Sequence, residues 1–160
     1  MLQAARVDTV LVRSAAMNKD VKVVYVLPDK AIGKQACPVV YLLHGYGGNA
    51  RSWVQLKPEL PQMADEKGII FVCPDGKNSW YWDSPENPAY RYETFVTSEL
   101  VKYTDGNYAT IPDSKARAIS GLSMGGHGAL WSAIRHKDVF GAAGSMSGGV
   151  DIRRSPRIGK

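Results

Sequence analysis

Ser123 is the side chain in this sequence whose surroundings best suit nucleophilic chemistry. It is the central residue of GLSMG (121–125), which follows a β-rich run at 115–120 and opens a helical pattern at 124–136. A G-x-S-x-G pattern at a strand-to-helix junction is typical of a nucleophile elbow, where a sharp turn exposes the hydroxyl. The flanking glycines suit this geometry because a Cβ there would collide with the neighbouring strand or helix. The alternative is a tight turn whose serine only caps the helix.

A second glycine-rich loop, HGYGGNA (44–50), follows an earlier apolar run. Acyl transfer passes through a tetrahedral intermediate with a negative oxygen, which backbone N–H groups can stabilise. One such donor is the residue after the nucleophile, here Met124, and the other comes from the loop after the third strand, where Tyr46 is the candidate. The loop therefore predicts half of an oxyanion hole, with a plain glycine turn as the alternative.

The same loop also matches a dinucleotide-binding pattern. Gly45, Gly47 and Ala50 fit G-x-G-x-x-A directly after a strand, and Asp75 ends the next strand. Three features argue against a dinucleotide site. Two prolines interrupt the helix that should follow the glycines, two strands precede the motif, and the GLSMG elbow would be left unexplained.

The segment at 75–92 is rich in aromatic residues and leaves the C-terminal end of a strand, where open α/β sheets bind ligands. Trp80 and Trp82 are the candidates for a substrate pocket, and Trp53 is a further one. Aromatic stacking would suit an aryl or otherwise flat acyl group. The alternative is that these rings only pack the segment onto the body of the protein.

Alternating strands and helices predict one α/β domain over residues 1–160, with a mainly parallel sheet and helices on both faces. We expect an early antiparallel hairpin around Asn18, and a helix that stops at Asp105-Gly106. The full set of expected elements is strands at 6–17, 19–28, 38–45, 69–76, 115–120 and 141–150, with helices at 61–68, 90–104 and 124–136. The last strand is rich in small residues and is expected to be buried.

Composition sets broad limits on partners and location. The chain is 44% hydrophobic and 22% charged, with a net charge of +5 and no basic stripe interleaved with aromatics, so we expect no nucleic-acid partner. No apolar run approaches the ~20 residues of a membrane span, and no intact signal peptide opens the chain, although MLQAA could be a remnant of one. Localisation therefore stays open. Cys37 and Cys73 are predicted to be free, buried thiols.

Four stretches together resemble the putative-esterase family of α/β-hydrolases: VYLLHGYGGNARSW, IIFVCPDG, SWYWDSP and ISGLSMGGHGALWSAIRH. The family includes esterase D (S-formylglutathione hydrolase), feruloyl and acetyl-xylan esterases, tributyrin esterase and the antigen 85 mycolyltransferases. The resemblance runs from about residue 6 to residue 151. It implies the α/β-hydrolase fold, Ser123 as nucleophile, the amides of Tyr46 and Met124 as oxyanion hole, a small ester substrate, and no metal or organic cofactor.

The general base is the missing part of this pattern. In α/β-hydrolases an Asp or Glu and then a His follow the nucleophile in the chain, but here only His127 and His136 follow Ser123. His136 lies near the far end of the helix, and His127 lies on the same helix one turn beyond the serine, so neither is well placed. His44 and Asp151 are the remaining candidates for base and acid. We therefore expect the N-terminal portion of an esterase, ending after the strand that follows the nucleophile helix.

The leading hypothesis is a serine carboxylesterase acting on small acyl, aryl or carbohydrate esters through an acyl-enzyme. Acyl transfer to an alcohol would use the same machinery. The alternatives are a non-catalytic hydrolase fragment that binds a carbohydrate ester or a partner through 75–92, and a dinucleotide-binding domain. A strand at 141–150 left unpaired would be an apolar edge, and such edges recruit other chains, so self-association is expected.

Overall fold

The computed structural model describes residues 5–146, which contain one six-stranded mixed sheet. The strands β1 and β2 form an antiparallel hairpin, and β2 pairs antiparallel with β4. The three pairings among β4, β3, β5 and β6 are parallel, so the predicted hairpin and mainly parallel sheet are confirmed. The strands are β1 (Arg6–Ser14), β2 (Lys19–Leu27), β3 (Val39–Leu43), β4 (Ile70–Pro74), β5 (Arg117–Leu122) and β6 (Ala142–Met146), in the spatial order β1-β2-β4-β3-β5-β6.

Helices connect the parallel strands. Two of them, α1 and α2, lie outside the helices that the sequence predicts. The helical elements are α1 (Asp29–Ile32), α2 (Ser52–Leu56), α3 (Leu60–Lys67), α4 (Tyr92–Thr94), a π-helical segment (Phe95–Glu99), α5 (Leu100–Asn107), a 3-10 turn (Ser114–Ala116) and α6 (Met124–Arg135).

The predicted stop at Asp105-Gly106 was wrong, because α5 continues through Gly106 to Asn107. The Asp105 carboxylate accepts hydrogen bonds from Thr110 Oγ1 and from Arg117 Nη2, each at 2.8 Å. These tertiary contacts hold the last turn in helical form and override the local preference of an Asp-Gly pair for ending a helix.

Both faces of the central strands are buried, which confirms helices on both sides of the sheet. In β2, Tyr25 points to one face and Val24 to the other, and neither is exposed. The Tyr25 face packs against the helices from α4 to α6, including Leu100, whereas the Val24 face packs against α2 and α3, including Leu60. Parallel strands buried on both faces explain the nearly continuous apolar runs in the sequence.

The last strand differs from expectation. It was predicted as a buried strand over 141–150, but Ala142 and Ala143 are exposed, because β6 has β5 as its one partner among residues 5–146. The remainder of the predicted strand lies outside the described residues. Within the described part of the chain, no helix combines the length and apolarity needed to cross a membrane.

Candidate active site

Ser123 occupies a sharp turn between the end of β5 and the start of α6. Its backbone has φ 58° and ψ −114°, a conformation that non-glycine residues rarely adopt, and the residue is exposed. Its side chain makes no capping hydrogen bond to the helix. The helix-cap alternative is therefore wrong, and the turn has the geometry of a nucleophile elbow.

The two glycines of the motif are required by close backbone contacts. A Cβ at Gly121 would overlap the carbonyl of Gly125, and a Cβ at Gly125 would overlap the carbonyl of Leu43 in β3. The first turn of α6 can therefore lie directly on the ends of β5 and β3. This is the collision that the sequence pattern predicted.

The 44–50 loop lies against the elbow because β3 and β5 are parallel neighbours, with Leu43 opposite Gly121. A Cβ at Gly45 would lie 3.1 Å from the Leu122 carbonyl oxygen and 3.4 Å from Ser123 Cβ. The loop leads into the five-residue α2 rather than into a long helix that opens at the glycines, which disfavours the dinucleotide interpretation.

The backbone amides of Met124, which follows Ser123, and of Tyr46, which follows Gly45, have free hydrogen-bonding capacity. Met124 is the first residue of α6, where helical N–H groups have no partner within the helix. Neither its amide nor that of Tyr46 donates a hydrogen bond to any of residues 5–146. The Tyr46 side chain is 67% exposed and points away from the core. Their role as an oxyanion hole stays a prediction.

His44 is buried, and both of its ring nitrogens are engaged by the backbone. The Gly76 amide donates to Nε2 at 2.9 Å, so this nitrogen is an acceptor and the ring proton is on Nδ1. Nδ1 then donates to the Gly45 carbonyl at 2.6 Å. The Asp75 carboxylate lies 3.4 Å from Nε2, but that lone pair is already used. This arrangement argues against His44 as the base for Ser123.

The other histidines also contact residues other than the serine hydroxyl. His136 Nε2 lies 2.8 Å from a carboxylate oxygen of Glu93. The His127 ring lies between those of Trp80 and Trp131, at centroid distances of 5.6 and 6.1 Å. Asp151 lies outside the described residues. No base is therefore hydrogen-bonded to Ser123 within residues 5–146.

An aromatic pocket of about 430 Å³ opens beside α6. It is lined by Trp80, Trp82, His127 and Trp131, and the His127 amide donates to the Ser123 carbonyl at 3.1 Å, which places the pocket one helical turn from the elbow. Trp80 and Trp82 are 44% and 48% exposed, so their rings do not simply pack the loop onto the body. That alternative holds instead for Tyr81, which is fully buried.

Trp53 does not line this pocket. It lies in α2, is buried with Leu60 on the other face of the sheet, and donates from Nε1 to the Leu43 carbonyl at 3.0 Å. The prediction that Trp53 lines the substrate pocket is therefore wrong, and its role is structural. The sequence reasoning missed Trp131, although its spacing of four residues from His127 on one helix would have placed both on the same face.

Glu93 is a second residue that the sequence reasoning missed. Its buried carboxylate accepts hydrogen bonds from Trp131 Nε1 at 3.0 Å, Arg135 Nε at 2.9 Å and His136 Nε2 at 2.8 Å. Burial by itself raises the pKa of Glu93, but these three contacts outweigh it and hold the pKa below its ordinary value. Glu93 thereby links α4 to α6 through hydrogen bonds and fixes the position of Trp131 at the pocket.

Replacing Glu93 with glutamine should lower the free energy of unfolding at neutral pH by about 1–3 kcal/mol, because a neutral amide cannot accept all three hydrogen bonds or pair with the Arg135 guanidinium. Since the folded-state pKa is depressed, the contribution of Glu93 is present above its ordinary value of 4.5 and is lost as the pH falls through the folded-state pKa. The difference in the free energy of unfolding between wild type and Glu93→Gln should therefore shrink as the pH falls below 4.5. Urea unfolding followed by far-UV circular dichroism measures this difference. The exposed Glu66→Gln is the matched control; a pH-independent difference would contradict the assignment.

Other candidate chemistry in the described residues is limited. Cys37 and Cys73 are free and buried, as predicted, and burial raises the pKa of the Cys73 thiol to about 12, so it is not a rival nucleophile. No His, Cys, Asp and Glu side chains cluster in residues 5–146 in a way that could hold a metal ion. A cavity of about 540 Å³ between Arg6 and Tyr108 contains no serine, histidine or carboxylate.

Residues 14–157 match the protein family described as "Putative esterase". The chain is 28% identical to an acetyl esterase of Caldicellulosiruptor saccharolyticus over 92% of this chain and 58% of that protein. It resembles the structure of an S-formylglutathione hydrolase from Agrobacterium tumefaciens (TM-score 0.79, 27% identity, 91% of this chain and 58% of that one). It also resembles a ferulic acid esterase (TM-score 0.75, 30% identity, 87% and 58%). The chain spans somewhat more than half the length of these relatives.

Proposed function

Because this chain belongs to the putative-esterase family of α/β-hydrolases, we propose that Ser123 is the nucleophile of a serine carboxylesterase. Ser123 Oγ bonds to the carbonyl carbon of an ester, the alcohol leaves with the serine proton, and water later releases the acid from the acyl-enzyme. The observation that carries this proposal is the exposed hydroxyl on a strained elbow that touches the glycine-rich loop.

The amides of Tyr46 and Met124 form the oxyanion hole in this proposal. Both belong to segments in contact with the elbow, and both are free of acceptors within residues 5–146. Fixed N–H donors stabilise the negative charge that develops on the carbonyl oxygen and need no reorganisation during the reaction. That contribution belongs to the transition state and should therefore affect kcat more than KM.

The base is not one of the three histidines of this sequence, in our proposal. His44 is committed to two backbone groups, His136 to Glu93, and His127 to two tryptophan rings. The imidazole would have to come from a part of the protein that this sequence does not include, and Asp151 stays a candidate for the acid. Free imidazole in solution can act as a substitute for such a base.

A fluorophosphonate probe tests the nucleophile directly, because it phosphonylates activated serines. The chain should be labelled on the peptide that contains Ser123, and added imidazole should accelerate that labelling in proportion to its concentration. Mass spectrometry of the digested protein locates the label. No label with imidazole present, or a label spread over other exposed serines, would contradict the proposal.

We further propose that the aromatic pocket binds a flat aryl group of the substrate. Three indole rings and one imidazole surround about 430 Å³, enough for a single ring system, and the pocket lies one turn from Ser123. One of the similar structures is a ferulic acid esterase, which fits an aromatic acyl group. Trp80 is the pocket residue best placed to contact the substrate, because its ring lies between those of Tyr46 in the glycine-rich loop and His127 in α6.

Replacing Trp80 with alanine should weaken the binding of ferulate by about 2- to 13-fold, since one aromatic contact contributes about 0.5–1.5 kcal/mol. Isothermal titration with the Ser123→Ala background separates binding from turnover. Trp80→Phe keeps a ring and is the matched control, so it should lose less. Equal binding by wild type and Trp80→Ala would exclude this pocket as the aryl site.

A second candidate function is binding without turnover, favoured by the finding that none of the three histidines pairs with Ser123. In that case the pocket would hold a carbohydrate ester or a partner, and the chain would not react with the fluorophosphonate even in the presence of imidazole. The labelling experiment therefore distinguishes the two candidates.

A further inference from the structure

We propose that His44 is a positioning residue that sets the direction of the Tyr46 N–H in the oxyanion hole. This inference rests on the proposed function, because it says what holds one of the two proposed oxyanion donors, the Tyr46 amide, in place. His44 acts through the Gly45 carbonyl and does not itself touch the substrate or exchange a proton with Ser123.

The argument begins with the peptide unit between Gly45 and Tyr46. Its carbonyl and its N–H lie in one plane and point in opposite directions, since no cis peptide bond occurs within residues 5–146. Holding the carbonyl therefore fixes the N–H. Two donors hold it from the protein side, His44 Nδ1 at 2.6 Å and the Gly48 amide at 3.0 Å. The N–H of Tyr46 is left pointing away from both donors.

The imidazole can hold this carbonyl because it is itself fixed. His44 is 1% exposed, and the Gly76 amide donates to Nε2, which leaves Nδ1 as the ring donor. The Tyr81 hydroxyl donates to the His44 carbonyl at 3.0 Å, and its ring packs edge-on against the imidazole at 5.7 Å. The His44 carbonyl, which precedes the Gly45 residue in the main chain, is thereby fixed as well.

His44 and the glycine-rich loop are held in place by one segment, residues 76–81, which contacts them at three points. Besides the bonds of Gly76 and Tyr81, Asn78 Oδ1 accepts from the Gly47 amide at 2.8 Å. A donor held in this way needs no reordering when charge develops on the substrate. A carbonyl that accepts hydrogen bonds also polarises its peptide group, which strengthens the opposite N–H as a donor.

Two substitutions each remove one of the two hydrogen bonds of the His44 ring and keep the other. His44→Asn places an amide nitrogen near the position of Nδ1 and keeps the donor to Gly45, but it cannot reach Gly76. His44→Gln places an amide oxygen near the position of Nε2 and keeps the acceptor for Gly76, but it has no donor atom at the position of Nδ1, from which His44 reaches the Gly45 carbonyl. Each variant loses one hydrogen bond, so a general loss of stability affects both alike.

The measured quantities are the rate of fluorophosphonate labelling with imidazole and the amide signal of Tyr46 in a ¹⁵N-tyrosine spectrum. The chain has eight tyrosines, and Tyr46→Phe assigns the signal by its absence. We expect His44→Asn to keep the Tyr46 signal near its wild-type position and most of the labelling rate. His44→Gln should shift the signal and slow labelling, approaching the ~10²-fold loss of one oxyanion donor.

Equal labelling rates and equal Tyr46 signals in the two variants would overturn the inference. So would the reverse order, with His44→Gln close to wild type, because it would assign the effect to the Gly76 bond. If wild type is not labelled but the Tyr46 signals follow the expected order, the positioning role of His44 stands and the nucleophile proposal fails. The two ideas are therefore separable.

Discussion

Replacing Ser123 with alanine is expected to abolish fluorophosphonate labelling and to lower the imidazole-dependent esterase turnover by orders of magnitude. The reason is that alanine has no oxygen to form the acyl-enzyme, while the pocket and the backbone donors remain. Turnover of p-nitrophenyl acetate with added imidazole is the appropriate assay, because free imidazole supplies the base and its own background rate is measured in the same series.

The matched control is Ser120→Ala, a serine three residues earlier on β5. It should keep both labelling and the imidazole-dependent rate. Circular dichroism should show that Ser123→Ala retains the wild-type fold, since its side chain makes no capping hydrogen bond in the structure. Labelling that persists in Ser123→Ala, or turnover equal to that of wild type, would mean that another residue is the nucleophile.

Gly45→Val is expected to lower the imidazole-dependent rate by ~10²–10³, the typical loss when one oxyanion donor is removed. A Cβ at this position would already lie 3.1 Å from the Leu122 carbonyl and 3.4 Å from Ser123 Cβ. The two further methyl groups of valine leave the loop no space beside the elbow, so the loop must move and the Tyr46 amide with it.

Tyr46→Phe is the control for that change. It removes a phenol but keeps the backbone N–H, so the rate should fall only slightly. Both variants are compared by labelling rate and by p-nitrophenyl acetate turnover. If Tyr46→Phe were the more damaging of the two, the phenol rather than the amide would be the functional group, and the assignment of the loop would be wrong.

The elbow and the hairpin could be predicted from sequence because their determinants are local. The GLSMG motif contains both glycines that the close approach needs, and its neighbours carry the strand and helix patterns. The roles of His44 and Glu93 could not be predicted in this way. Gly76, which fixes the His44 ring, lies 32 residues away in the chain, and Arg135, which pairs with Glu93, lies 42 residues away, so these partners meet only after the sheet has formed.

Burial was harder to predict than secondary structure. Trp53 and Trp80 look alike in sequence, yet one is 3% exposed and the other 44%, because Trp53 is buried with Leu60 in the core whereas Trp80 lines the open pocket beside α6. Small residues in β6 suggested burial, but whether Ala142 is covered depends on which strand or helix lies beyond it, and no local pattern encodes that neighbour.

The positive φ at Ser123 and Trp80, near 60° at each, has a consequence for attempts to stabilise this protein. Non-glycine residues in such conformations cost of order 1–3 kcal/mol each, and glycine would relieve that strain. A screen that selects variants by melting temperature alone would favour glycine at these positions. It would then discard the proposed nucleophile and one wall of the aromatic pocket, trading activity for thermostability at the residues where the two compete most directly.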